Sequence, residues 1–440
     1  METNTVELRP VATRERIEVL DLMRGLAILG ILFMNIPIMA NSFWLEEIDF
    51  RLIGWTWPDQ IVWTVNHILL DGTQRGMLQL LFGAGMMLLA ARAMQPDGPV
   101  AISDMYQRRN MWLVLFGALH ATLFLWAGDI LVIYGLTALF IFPFRVVSPK
   151  KLMILGSLFA TLMVIGGGFQ YVQRSKLQQE MVSIEAKVEK GQALSKAETE
   201  KQKDWKDVVD RRKIDKKEQK RIDEEKKWRT GNFGDYVGGA IGLWGTLIGK
   251  GMLIGGVLES FFTMMIGIAL FKWGVIQGQK DRNFYFKLLL ACYAFGLACR
   301  SLDAFERLQF NADPKISWMT QEYARLAMSV GHIALINWLA KTRAGARFLA
   351  PFKATGKTAL SLYILQSVIT MWILFSPFGF GLWGKYSYAG QAMIALAIIT
   401  GQIVLANIWV RWFSMGPVEW LWRSLAYWRR QPFRLAAKAE

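Results

Sequence analysis

Long apolar runs, separated by short polar or basic segments, dominate the chain from residue 20 to residue 410. Most runs are about 17 to 23 residues long, which is the length that a helix needs to cross a bilayer. The pattern therefore predicts an all-helical, polytopic membrane bundle with about ten crossings. We expect these crossings at residues 20 to 40, 58 to 92, 110 to 127, 130 to 145, 152 to 171, 252 to 272, 284 to 300, 320 to 340, 358 to 376 and 389 to 410.

The second crossing is interrupted by a polar stretch that begins at Asp71 and ends at Gly76. Irregular backbone is tolerated at membrane depth only where protein buries it or a cavity wets it. We therefore expect a broken or partly re-entrant helix here, with a site nearby. Small residues around Gly83 and Gly85 favour close packing against another helix.

Residues 172–232 form a strongly charged insertion between an N-terminal membrane half, 1–171, and a C-terminal half, 233–440. Mixed charge combined with Ala, Leu, Glu and Lys predicts a long solvated helix or a helical hairpin that lacks a core of its own. The insertion is either a solvated spacer or an arm that docks a partner. We do not count the glycine-rich segment at 236 to 250 as a crossing and expect it at the outer interface.

Composition and charge fit a membrane protein. Hydrophobic residues make up 53% of the chain, which is too apolar for a soluble protein with so little loop. The net charge of +16 is carried largely by basic loops, and Arg9, Arg14 and Arg16 place the N-terminus in the cytoplasm by the positive-inside rule. An even number of crossings then places the C-terminus there too. Because Trp205 and Trp228 stand alone in the insertion, we expect membrane lipids and no nucleic acid as partners.

Two titratable residues, His120 and Asp129, lie in the nearly continuous apolar stretch 113–134. Such residues are costly to bury in a membrane and often mark a functional site. Within one straight helix they would lie roughly 13 Å apart, too far to touch. His120 is either a structural histidine bonded to a neighbouring helix or a general base. Asp129 either caps the next helix or takes part in chemistry.

The first crossing carries a polar stripe. Asp21 and Arg24 are three residues apart and are expected to pair, and Asn35 follows on the same helix face. Arg24 either anchors the helix at the inner leaflet or binds a phosphate or carboxylate.

A second polar stripe runs along the 358 to 376 crossing. It consists of Tyr363, Gln366, Ser367 and Thr370. Hydrogen bonding between helices and contact with a substrate both explain such a stripe. Glu259 is a similar buried acid, with Arg300 as a candidate ion-pair partner. Three dispersed histidines and two cysteines in one span predict no metal site.

Five segments resemble the YeiB family, known by its domain of unknown function 418. They are LDLMRGLAILGILFMNI at 20–36, LFGAG at 81–85, LHA at 119–121 followed by GDIL at 128–131, GKTALSLYILQS at 356–367 and GPVEWLWRSLAY at 416–427. The resemblance spans the chain apart from the insertion. It implies a bacterial inner-membrane protein, related to transmembrane acyltransferases that share the opening motif.

Those acyltransferases pass an acyl group from a cytoplasmic donor, typically acetyl-CoA, to a hydroxyl or amine outside. The resemblance therefore implies acetyl-CoA or another acyl-CoA as donor and a small molecule or glycan as acceptor. Assembly into a homo-oligomer is compatible with such an activity. By analogy, Arg24 would bind the donor phosphates and His120 would activate the acceptor or relay the acyl group, with Asp129 near the acceptor. The polar stripe at 363–367 would line the path.

Two other function classes fit the same residues. A transporter or flippase for an anionic or lipid-like solute would use the buried Arg, His and Asp for binding and proton coupling, and the broken second crossing would suit a midplane site. A membrane scaffold that recruits partners through the insertion would leave His120 replaceable.

Overall fold

The computed structural model of the 440-residue chain describes residues 17–90 and 101–435. Apart from one isolated β-bridge between Phe413 and Arg434, the described residues are helix, turn and loop. The predicted all-helical fold is therefore confirmed. Arg9, Arg14 and Arg16, on which the predicted orientation depends, lie outside the described residues.

Most of the helices follow the apolar runs of the sequence, and the others lie in the charged insertion or in short connections. They are α1 (Glu18–Ala40), α2 (Phe43–Ile48), α3 (Trp57–Leu69), α4 (Thr73–Ala90), α5 (Ala101–Thr122), α6 (Leu131–Ile141), α7 (Pro149–Glu189), α8 (Lys196–Asp210), α9 (Lys216–Arg229), α10 (Phe233–Gly249), α11 (Met252–Lys272), α12 (Arg282–Leu308), α13 (Ser317–Ala340), α14 (Arg343–Leu349), α15 (Pro351–Lys357), α16 (Ala359–Ser367), α17 (Tyr388–Trp409) and α18 (Pro417–Tyr427). A π-helical segment, Val368–Leu374, continues α16.

Within the described residues, five helices are long and apolar enough to cross a membrane: α1, α7, α11, α12 and α17. A sixth is formed if α15 and the continuous segment Ala359–Leu374, hereafter the α16 segment, count as one span, although they bend by 81° at their junction. The other four predicted crossings correspond to α3 with α4, α5, α6 and α13, which are helical but do not meet the same length and apolarity. The structure thus confirms a polytopic helical membrane protein, while the number of ten crossings stays a prediction.

The second crossing is broken as the sequence predicts. Helix α3 ends at Leu69 and α4 begins at Thr73, with Gly72 between them at φ +70°. Only glycine adopts this left-handed conformation without strain. Further along α4, a Cβ on Gly83 would overlap the carbonyl group of Met264, so this glycine allows the close approach of α4 and α11.

The charged insertion is helical, but it is not solvated throughout. Helix α7 is 41 residues long and extends beyond the apolar span into the insertion, and α8 and α9 follow it. At the end of α9, Glu225 and Arg229 are only 1% and 2% exposed. Ser42, which follows the C-terminal end of α1, donates a 2.6 Å hydrogen bond to Glu225 Oε2. The insertion therefore packs its last turns onto the bundle, where α10 follows as a regular helix.

Helices α1 and α16 form the centre of the structure around the candidate site. Helix α1 packs against α4, α15, α16 and α17. The start of α16 is fixed by Glu419 of α18, whose carboxylate accepts hydrogen bonds from the Leu360 and Ser361 amides. A carboxylate at this position satisfies amides that the first turn leaves unpaired and complements the helix dipole.

Candidate functional site

The structure brings His120 into direct contact with both Asp129 and Ser367. Helix α5 ends at Thr122, and the chain then reverses in a tight turn that returns Asp129 to the last turn of α5. His120 Nδ1 lies 2.7 Å from Asp129 Oδ1, and His120 Nε2 lies 2.7 Å from Ser367 Oγ. The expected separation of His120 and Asp129 is wrong because it assumes one continuous helix. Leu125, at φ +60°, provides the left-handed residue of the turn.

The Asp129 carboxylate, the His120 imidazole and the Ser367 hydroxyl form a hydrogen-bonded triad in the interior of the bundle. His120 and Ser367 are fully buried, and the Asp129 side chain has no exposed surface. With the proton on Nδ1, the imidazole donates to Asp129 and its Nε2 accepts the Ser367 hydroxyl proton, so each polar atom has a partner. The order of groups is that of a hydrolase triad, which is recognised by geometry and not by sequence position.

Neighbouring residues hold the triad of Asp129, His120 and Ser367 in place. Asp129 Oδ2 accepts a 2.9 Å hydrogen bond from the Val132 amide, so the carboxylate also caps α6. Gly117 lies one turn before His120, where a Cβ would come within 2.6 Å of Asp129 Oδ2. Tyr363 presents its ring edge-on to the imidazole, with the ring centroids 4.7 Å apart. Position 117 therefore has no room for a larger residue without displacing the carboxylate.

The polar stripe on the α16 segment divides between two roles. Gln366 Nε2 donates to the Ile28 carbonyl and to Gln402 Oε1, both at 3.1 Å, and so links α16 to α1 and α17. Thr370 donates to the Gln366 carbonyl. Ser367 points instead to the imidazole, at the junction where α16 becomes π-helical. Such π-helical segments occur often at functional sites.

At the other end of α1, Asp21 and Arg24 form the predicted pair, with 3.0 Å between Arg24 Nη1 and Asp21 Oδ1. The Arg24 side chain keeps 40% of its surface exposed. A second guanidinium, that of Arg109, interacts electrostatically with Arg24 and stacks 4.2 Å above the Trp422 ring. Asn35 is half-buried and lies roughly 17 Å further along α1, so it belongs to a different level of the bundle.

Glu259 lies in a partly buried ionic network, but not with Arg300. Its carboxylate is 3.0 Å from Arg75 Nη2 and 3.4 Å from Arg325 Nη1. Arg325 also pairs with Glu322 at 2.6 Å. Arg300 donates instead to the Asp71 carbonyl at the break of the second crossing. Sequence reasoning missed Arg325, although Glu322 and Arg325 stand three residues apart in a predicted span.

A further histidine and carboxylate cluster also escaped sequence reasoning. His67 Nε2 lies 2.8 Å from Asp303 Oδ2, and its Nδ1 lies 3.5 Å from Asp71 Oδ2. The imidazole stacks on Trp63 with the ring centroids 4.8 Å apart. The spacing of His67 and Asp71, four residues apart, was the only local signal, because Asp303 comes from α12.

Comparison with known proteins places these residues among proteins of unknown function. Residues 270–429 match the family described as "Protein of unknown function (DUF418)". The chain is 28% identical to the uncharacterized protein YxaH of Bacillus subtilis, over 98% of this chain and 99% of that protein. It is 27% identical to the uncharacterized protein YeiB of Escherichia coli, over 93% and 96% respectively.

An uncharacterized 39.9 kDa protein in the amylase 3' region of Bacillus acidopullulyticus is 22% identical, over 98% of this chain and 99% of that protein. No solved structure matches the chain at a significant level. The resemblance predicted from the sequence motifs is thus confirmed as far as the family. The chain carries a DUF418 region and is homologous along nearly its whole length to YeiB and YxaH.

Proposed function

We propose that the protein is a membrane-embedded acyltransferase that moves an acyl group from cytoplasmic acyl-CoA, such as acetyl-CoA, to an acceptor outside the membrane. The buried, hydrogen-bonded triad of Asp129, His120 and Ser367 supports this proposal most directly. An imidazole held by a carboxylate activates the hydroxyl that it contacts as a nucleophile. In this proposal the protein lies in the bacterial inner membrane, has both termini in the cytoplasm and acts on a small molecule or glycan.

The reaction proceeds in two balanced halves. Ser367 Oγ attacks the thioester carbonyl while His120 Nε2 takes the hydroxyl proton, the carbon–sulfur bond breaks, and the leaving thiolate takes that proton to give an acyl-serine. His120 then takes a proton from the acceptor hydroxyl or amine, which attacks the acyl-serine carbonyl. The bond to Oγ breaks and Oγ regains the proton. Asp129 stabilises the imidazolium that forms in each half.

The inner end of α1 offers a place for the donor phosphates. Guanidinium groups favour phosphate, and Arg24 is partly exposed, with a second guanidinium, that of Arg109, near enough to repel it. Gln366, the neighbour of Ser367, contacts the carbonyl of Ile28, which lies one turn, roughly 6 Å, beyond Arg24 on α1. A donor whose phosphates lie at Arg24 therefore has only about one to two helical turns to span before its thioester reaches the hydroxyl.

Covalent labelling tests the chemical step. Purified full-length protein is incubated with acetyl-CoA carrying an isotope-labelled acetyl group, and the peptide that contains Ser367 is analysed by mass spectrometry. We expect the label on Ser367, its loss in Ser367→Ala, and labelling at least about a hundredfold slower in His120→Gln, because the general base is removed. Thr137→Val is the matched control, since it removes a buried hydroxyl that donates to the Ile133 carbonyl on α6.

An unlabelled wild-type protein, or label retained in Ser367→Ala, would overturn the acyl-serine step. Transfer to an added acceptor that survives in Ser367→Ala and disappears in His120→Gln would replace it by direct attack of the acceptor.

Calorimetric binding of acetyl-CoA tests the donor site separately. We expect saturable binding that is lost in Arg24→Ala and kept in His120→Ala, because phosphate binding and chemistry lie on different residues. Lys353→Ala is the control, since Lys353 pairs with Glu18 at the same end of the bundle. Absence of binding in every variant would remove the main support for acyl transfer.

Transport of an anionic solute is the second candidate, and the partly buried network of Arg75, Glu259 and Arg325 is the observation that favours it. Buried ion pairs in membrane proteins often line ion and substrate paths. Transport would become the leading proposal if acetyl-CoA fails to bind and Glu259→Gln abolishes proton-coupled uptake of an anion into vesicles that contain the protein.

A further inference from the structure

A small cavity lies beside the triad of Asp129, His120 and Ser367, on the outer side of the bundle. Its volume is about 120 Å³, and its lining is mostly apolar. The turn after α5 contributes Leu125, Trp126 and Gly128 to the lining, the α16 segment contributes Met371, and the end of α9 contributes Arg229. The cavity is thus closed on one side by the charged insertion.

The cavity adjoins the reacting groups through short stretches of chain. Gly128 immediately precedes Asp129, and the Trp126 amide donates a 3.2 Å hydrogen bond to the His120 carbonyl. Met371 lies one turn beyond Ser367 along the α16 segment. A ligand in this cavity therefore contacts residues that are one position from Asp129 and one helical turn from Ser367 along the chain.

Two buried N–H donors at the cavity lack a well-placed hydrogen-bond acceptor. The Trp126 indole Nε1 and the Arg229 Nε are both buried and make no hydrogen bond of good geometry, although the Tyr363 hydroxyl lies near Trp126 and the Tyr236 hydroxyl lies near Arg229. Arg229 Nε lies 3.6 Å from Glu225 Oε1, which compensates its charge but is beyond hydrogen-bond distance. A buried donor without a partner costs about 1 to 3 kcal/mol. Both residues line the cavity, so a ligand oxygen that reaches these N–H groups from the cavity would satisfy them.

We propose that the cavity binds the acyl group of the substrate, with its carbonyl oxygen toward the donors on Trp126 and Arg229, and limits it to about four carbons. This inference rests on the proposed acyl transfer and names its substrate class. A cavity of about 150 Å³ holds benzene, or about 25 Å³ for each heavy atom, so 120 Å³ holds about five heavy atoms. Butyryl, with four carbons and one oxygen, fills it, and hexanoyl exceeds it.

The test is a chain-length series measured by calorimetry on the full-length protein. Free CoA, acetyl-CoA, butyryl-CoA and hexanoyl-CoA are compared, so that differences in affinity report the acyl group alone. Each methylene buried in the cavity is expected to improve affinity about fourfold, which gives about a tenfold or larger gain from acetyl to butyryl. Hexanoyl-CoA is expected to bind no better than butyryl-CoA.

Two variants change the cavity in opposite directions. Leu243→Ala removes three carbons from the lining and adds roughly 75 Å³, so hexanoyl-CoA should bind at least about fivefold more tightly than butyryl-CoA in this variant. Ala240→Leu fills roughly the same volume and should abolish the dependence on chain length. Gly242→Ala is the control on the same helix, because a Cβ there meets open space. Trp126→Phe keeps the ring, removes the N–H and should weaken butyryl-CoA about fivefold.

The outcomes separate this inference from the proposed function. A chain-length limit that shifts in Leu243→Ala, together with an unlabelled Ser367, would support the cavity and overturn acyl transfer. Labelling of Ser367 by acetyl and hexanoyl donors alike, with the same chain-length dependence in Ala240→Leu as in the wild type, would overturn the cavity and leave acyl transfer standing. Thioesters that bind no better than free CoA in any variant would overturn the acyl pocket.

Discussion

The contact between the charged insertion and the bundle depends on a buried ion pair whose removal should release α9. Arg229 and Glu225 are both nearly fully buried, with 3.6 Å between Nε and Oε1. Arg229→Met leaves the Glu225 carboxylate buried without its charge partner, which typically costs about 3 to 5 kcal/mol. Ser42 Oγ and the Phe43 amide still donate to that carboxylate, so we expect the lower end of this range.

Hydrogen–deuterium exchange of the α9 amides measures the opening directly. A loss of about 3 kcal/mol corresponds to exchange more than about a hundredfold faster in Arg229→Met, if α9 exchanges by local opening. The matched control is Lys201→Ala, which breaks the exposed pair with Glu180 in the same insertion. Exposed pairs contribute at most about 1 kcal/mol, so this variant should change exchange by about fivefold or less.

A double variant tests the cause. Glu225→Gln combined with Arg229→Met removes both charges and leaves no uncompensated carboxylate, so exchange should return to within about tenfold of the wild type. The reasoning is refuted if Arg229→Met opens α9 no more than Lys201→Ala does, or if the double variant is as open as the single one.

Two further predictions concern stability in detergent solution. Burial raises the pKa of Glu46, which accepts a 2.6 Å hydrogen bond from Tyr388, from 4.5 to about 7, so the folded protein keeps this proton after the unfolded chain has released it. Stability should therefore fall as the pH rises from 4.5 to 7. The difference in unfolding temperature between Glu46→Gln and the wild type should favour the variant more at pH 8 than at pH 5. An equal difference at the two pH values would contradict the raised pKa of Glu46. Gly356→Ala should lower the unfolding temperature by the equivalent of about 1 to 3 kcal/mol or more, because a Cβ there overlaps the Asp21 carbonyl. Gly85→Ala is the control and should be neutral or stabilising, because a Cβ there meets open space. Similar effects of the two substitutions would count against the close packing at Gly356.

Local sequence features accounted for the elements and for the pairs within them. The apolar runs predicted the helices, because the length needed to cross a bilayer and the internal pairing of backbone groups are properties of one segment. The pairing of Asp21 with Arg24 and the break before Thr73 were predicted for the same reason. The candidate residues His120 and Asp129 were identified because a titratable group in an apolar run is visible in the sequence alone.

Tertiary structure decided which of these residues meet. The contact of His120 with Ser367 joins positions 247 residues apart, and it depends on how α5 and the α16 segment pack. The contact with Asp129 depends on where α5 ends, since a few residues of helix more or less separate a direct hydrogen bond from a gap of roughly 13 Å. Arg229 looked like one charge among many in a solvated insertion, and only docking of α9 against the C-terminal end of α1 removes it from water. The sequence by itself therefore determined the helices and the polar residues within them, because both follow from local apolarity. Only the packing of helices that are distant in the sequence determined the hydrogen-bonded triad and the cavity beside it.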